Sequence, residues 1–160
     1  MKAFTAPKLA LAAAIAATVG ATAPAMAQLE EVLVTAQKRV QSLQDVPASV
    51  SVVSGESIHD FVGSGENIRA LAGRVPSLQI ESSNGRQSPR FYIRGLGNTD
   101  FDVNANQPVS LIMDDVALEN SVRKSLPLFD ISRVEVLKGP QGTLFGRNTP
   151  AGVVKVDTVR

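Results

Sequence analysis

Several residues in this chain have the types and near-spacing that chemistry could use, and each falls short of the geometry that chemistry requires. Gly139, Gly142, Gly146 and Gly152 follow a short apolar alternation and raise the question of a phosphate cradle. That cradle needs Gly, four residues, then Gly-Lys-Ser/Thr, and the residue five after Gly139 is Leu144. Asp100, Asp102 and Asn104 match the first three alternating oxygen donors of a calcium loop. Ala105 then stands where glycine is needed, and Leu111, at the twelfth position, has no carboxylate to close the shell. Asp114 and Asp115 are adjacent carboxylates between two apolar runs, a placement that fits a hairpin turn better than an acid/base pair. His59 is the only histidine, there is no cysteine, and no G-x-S-x-G occurs. The expectation is therefore no enzyme, no metal centre and no cofactor.

The elements that would carry these residues are short. Val50 and Val52 alternate with Ser49 and Ser51 in a strand expected at 48–53, and Pro47 ahead of it suits either an edge or a strand beginning. Helices are expected at 55–61 and 66–72, the second capped by Ser64, and strands at 78–81, 91–94, 109–113, 116–118 and 133–137. In the strand at 91–94, Phe91 and Ile93 share one face while Tyr92 and Arg94 share the other. Residues 119–125 read as polar surface or loop, 126–131 as a short helical turn, and 141–147 as a segment that packs Leu144 and Phe145 inward and exposes Arg147. A last strand covers 153–158, joined to the one before it by a tight glycine-rich turn. Short helices, strands and long polar loops together make an α+β domain built on a small mixed β-sheet.

Composition narrows the class of partner. The chain has 160 residues, enough for one domain, and a formal net charge of +1. Lys2 and Lys8 precede an apolar run at 9–17 and the small-residue end Ala25-Met26-Ala27, the three parts of a secretory signal with cleavage after Ala27. Nine apolar residues are too few to span a hydrocarbon core, which takes about 20 in a helix. Without the leader, 14 basic residues face 15 acidic ones, and no basic tract points to nucleic acid.

After the leader, Glu31, Val32, Leu33, Val34, Thr35 and Ala36 form an apolar, β-branched stretch between acidic and basic flanks. Val32, Val34 and Ala36 would share a face if extended. Such a segment suits strand addition to a partner's exposed sheet edge, at roughly 1 kcal/mol net per hydrogen bond. The competing reading is a first strand of the domain's own sheet.

EEVLVTA at 30–36, FYIRGLG at 91–97 and LKGPQGTLFGRNT at 137–149 together resemble the plug domain of TonB-dependent outer-membrane receptors. The resemblance implies a signal peptide at 1–27, a TonB box and flexible linker at 28–45, and a plug at 46–160. Residues 31–36 would be the box gripped by the C-terminal domain of TonB. Arg94 and Lys138 would face acidic residues of an enclosing β-barrel, with Lys138 standing where the family more often has arginine. Asn84, Gly85, Arg86, Asn98, Asp100 and Asp102 would lie on loops near an extracellular ligand such as a siderophore or another large solute. Departures from the family pattern fall at Asp115, where glycine is common, and at Lys155 and Asp157, where Asn and Thr are usual. A barrel of about 22 strands needs well over 200 further residues, so the expectation is a plug truncated before its barrel. Export would lead to the outer membrane, or to the periplasm without a barrel. The alternative is a free-standing secreted periplasmic binding module with a plug-like fold.

Overall fold

The fold is seen in a computed structural model that describes residues 31–62, 67–83, 85–100, 102 and 104–159. Among the described residues nine strands run in chain order: β1 (Leu33–Val34), β2 (Gln41–Ser42), β3 (Ser49–Ser54), β4 (Leu78–Glu81), β5 (Arg90–Ile93), β6 (Val109–Met113), β7 (Val116–Leu118), β8 (Ile131–Lys138) and β9 (Gly152–Thr158). Two helices, α1 (Gly55–Val62) and α2 (Gly142–Phe145), and three 3-10 turns complete the described elements. Five strands form one mixed sheet in the order β3-β8-β9-β6-β7, in which only β6 and β9 are parallel. The fold is α+β, as the sequence implies.

Strand alternation sorts the sheet into two faces. Val134 and Val136 of β8, with Val154 and Val156 of β9, point into the larger core, where Ile58, Leu71, Phe91 and Ile93 cover them. Leu137 and Val153 point the opposite way and meet Val34, Ala36, Val46 and Ile112. Residues 34–46 therefore cover the second face.

Most strands fall within a residue of their expected places, and the departures have physical causes. The helix expected at 66–72 is a 3-10 turn, Ile68–Gly73, whose Asn67 side chain accepts the Arg69 amide; Ser64 lies outside the described residues. No helical turn forms at 126–131. Leu126 accepts the Ile68 amide and Pro127 bridges Asn67, so tertiary pairing draws that segment out. Leu144 is 37% exposed rather than inward, and it is Phe145, lying under the Lys38 ammonium, that packs. The link from β8 to β9 is not a tight turn: residues 139–151 make a loop containing α2. Asp114 and Asp115 do form the hairpin turn, both at positive φ, 46° and 68°. The Asp114 carboxylate accepts the Thr158 amide and hydroxyl, which ties this left-handed turn to β9.

One buried charge is invisible to pattern reading. Lys124, in a segment expected at the surface, is fully buried and donates to the Val109 carbonyl at 3.0 Å and to the Gln107 side chain at 3.4 Å. Both acceptors are neutral, and burial pushes the ammonium down to about 8, with Glu119 only partly offsetting it. The folded chain thus binds this proton more weakly than the unfolded chain. Stability should rise with pH between about 8 and the ordinary lysine value, by about 3 kcal/mol at most. Urea titrations of the wild type and Lys124→Met across that window check it: the rise should vanish in the variant, and equal slopes would contradict the assignment.

Candidate functional site: the docked N-terminal segment and the loops at the sheet ends

Residues 31–45, expected as a box and flexible linker, are folded onto the domain in the structure. They do not join the main sheet either. β1 pairs only with β2, as Leu33 with Ser42 and Val34 with Gln41, and the Leu43 amide donates to the Val32 carbonyl at 2.9 Å. Val34 and Ala36 are wholly buried against the sheet, while Val32, expected on their face, is 43% exposed. Two side chains that strand addition would offer to a partner are thus occupied by the domain itself.

Between them sits Thr35, above a charged quartet that pattern reading did not single out. Register pairs Glu135 with Lys155 and Arg133 with Asp157 across β8 and β9, on the face that also carries Leu137 and Val153. The Thr35 amide donates to Glu135 Oε1 at 2.8 Å. Its hydroxyl accepts from Lys155 Nζ at 2.7 Å and has Glu135 Oε1 and Asp157 Oδ2 as acceptors, each at 3.3 Å. Arg133 bridges Glu135 and Asp157 at 3.0 and 3.1 Å, and Lys155 meets Asp157 at 2.6 Å. The second Glu135 oxygen is buried with no hydrogen-bond partner. Buried ions of this kind are costly when one partner leaves, because an uncompensated charge remains. The signal in the sequence was charge at alternate positions, 133 and 135, then 155 and 157, inside otherwise apolar strands. Beside the quartet opens a cleft of about 550 Å3 lined by Thr35, Lys38, Asp115, Lys155 and Asp157, among others.

Arg94 and Lys138 are brought together by the fold. Arg94 leaves β5 at positive φ, 54°, and its guanidinium lies on the side of Gly139, next to Lys138, where a Cβ would stand. Partial burial and then the Arg94 charge hold the Lys138 ammonium below its ordinary value. Among the described residues neither forms an ion pair.

The described residues of the loops expected near a ligand are hydrogen-bonded within the chain. Asn84 lies outside the described residues, while Gly85 and Arg86 are held through their carbonyls by Arg69 and Ser125. Asn98, Asp100 and Asp102 each accept the amide two residues on, at 2.8 to 3.0 Å, so these side-chain oxygens are engaged by the loop's own backbone. Tyr92 links the two regions, with its hydroxyl 2.6 Å from Glu81 and 2.9 Å from the Asn98 carbonyl. That hydrogen bond, more than the Arg90 charge, holds the Glu81 carboxyl down, and burial, then Glu81, pushes Tyr92 up. Gly97 lies against the Tyr92 ring with no room for a Cβ. Among the described residues no group of acidic or histidine side chains is gathered to hold a metal.

The site is thus a small mixed sheet with β1 and β2 packed on its second face, and a cationic pair with no internal counter-ion among the described residues. The family model for the TonB-dependent receptor plug domain matches residues 42–153, and the chain belongs to that family. It is 34% identical to a vitamin B12 transporter, BtuB, of Vibrio vulnificus over 81% of this chain and 20% of that protein. A rhizobactin receptor of Rhizobium meliloti is 27% identical over 84% of the chain and 17% of its own length. The crystal structure of the ferric yersiniabactin uptake receptor FyuA from Yersinia pestis matches with a TM-score of 0.62 at 29% identity, covering 71% of this chain and 17% of that one. The chain thus spans about a fifth of the curated relatives it matches.

Proposed function

We propose that this chain acts as the plug of a TonB-dependent outer-membrane receptor that takes up a siderophore or another large solute. The observation that carries the reading is the plug-family match over residues 42–153, preceded by a strand-forming segment at 31–36 that is docked on the domain without joining its main sheet. The relatives are transporters and receptors, which favours this reading over a free-standing periplasmic module and over an enzyme.

In this reading the plug fills a barrel lumen, and its polar surface suits a wet, polar interior. Arg94 and Lys138 meet acidic barrel residues there. The loops carrying Asn84, Gly85, Arg86, Asn98, Asp100 and Asp102 face the ligand. The C-terminal domain of TonB adds a strand to residues 31–36 and transmits force that rearranges the plug, so no covalent step is needed. Because Val34 and Ala36 are buried when docked, capture must be preceded or accompanied by undocking.

The test is a receptor carrying this plug in cells with and without TonB. Ligand accumulation should appear only where TonB is present, while surface binding appears in both. Accumulation without TonB would overturn the proposal.

A further inference from the structure

We infer that the quartet Arg133, Glu135, Lys155 and Asp157 is a clamp on Thr35, and that this one hydroxyl sets how readily the N-terminal strand becomes available to a partner. The inference rests on reading residues 31–36 as a handle, and it names the side chains that regulate the handle's release.

The apolar anchors alone do not position the segment. Val34 and Ala36 touch the sheet through methyl groups, which fix depth but not register, since dispersion has little direction. β1 contributes only two residue pairs. Thr35 supplies the missing direction, because its amide and hydroxyl together engage charges on both central strands. A hydroxyl has one proton to give and two lone pairs to receive. Here Lys155 Nζ and Arg133 Nη2 donate to it, at 2.7 and 3.4 Å, and it donates to one of the two carboxylates. Every capacity of that oxygen is used.

The quartet needs Thr35 in return. Two cations and two anions cancel, yet they stand on a sheet face otherwise filled with aliphatic side chains. Glu135 is wholly buried with one oxygen already unpartnered, so losing the Thr35 amide and hydroxyl would leave its other oxygen with Arg133 alone. Arg133 also donates to the Leu33 carbonyl, at 3.3 Å, which binds β1 to the same group of charges. Departure of the strand therefore strips partners from a buried acid, and its return restores them. The clamp is two-state for that reason.

Hydrogen exchange on the full chain tests this in the absence of TonB. Thr35→Val keeps the branched shape and removes the hydroxyl. It should speed exchange of the Thr35 and Leu43 amides by about ten- to a hundredfold, the range for losing one hydrogen bond to charged partners. Thr35→Ser keeps the hydroxyl and should exchange like the wild type. Amides of β8 and β9 should be unchanged in both. Unaltered exchange in Thr35→Val, or equal loosening in Thr35→Ser, would overturn the clamp; if Thr35→Val does not fold, Thr35→Ala is judged by the same criterion. Adding the TonB C-terminal domain separates the two ideas. A loosened strand that TonB still ignores would leave the clamp standing and remove the partner.

Discussion

Replacing Gly152 by Ala is expected to lower the unfolding free energy by about 3 kcal/mol or more, the largest loss from removing no interaction at all. Gly152 opens β9 at φ 152°, backbone that a side chain rarely adopts. A Cβ there would overlap the Leu137 carbonyl oxygen and sit 2.8 Å from Ile93 Cδ1. The Leu137 carbonyl is backbone and cannot yield cheaply. Gly152 pairs with Val109 on one side and Lys138 on the other, so the backbone is held in register from both directions. Gly142→Ala is the control: no heavy atom lies within 4 Å of a Cβ at that position, so its change should stay within about 0.5 kcal/mol. Urea unfolding followed by circular dichroism reads both. A Gly152→Ala midpoint near the wild type would mean that β9 does not begin where it is placed.

In a receptor carrying this plug, Val34→Pro should abolish uptake and leave ligand binding intact. Proline removes an amide proton and fixes φ near −65°, so the segment can no longer complete a strand ladder with a partner. The structure adds a second consequence. Val34 is buried and pairs with Gln41, so the same change should undock the segment and expose it. Exposure and coupling then move in opposite directions: the handle becomes freer and also useless. Thr35→Val should loosen the segment while keeping every amide of the ladder, so it should lose less uptake than Val34→Pro. Binding of labelled ligand to cells, measured beside its accumulation, distinguishes the two variants. Retained accumulation in Val34→Pro would refute the role given to residues 31–36.

How much of this was legible in the sequence depended on how local the cause was. Leu78–Glu81 is readable from two-residue alternation and Val109–Met113 from a short, mostly apolar run, both written in the side chains themselves. The turn at Asp114 and Asp115 was readable too, since aspartate tolerates left-handed backbone. The segment at 126–131 was misread as helical because the groups that extend it, Ile68 and Asn67, lie far away in the chain. Leu144 was misplaced for a similar reason: one turn of helix has too few positions to show which side is buried.

By itself, then, the sequence determined the α+β class, the strands, the family resemblance and the strand-forming character of residues 31–36. These follow from residue type and short-range periodicity, which act over a few positions. Only the tertiary structure decided that this segment lies docked, that Thr35 joins Glu135 and Asp157 across 100 and 122 positions, that Arg94 stands beside Lys138 and that Lys124 is buried. The reason is physical: a charge or hydroxyl acquires its role from the partners that folding brings within hydrogen-bond distance, and no spacing along the chain specifies those partners.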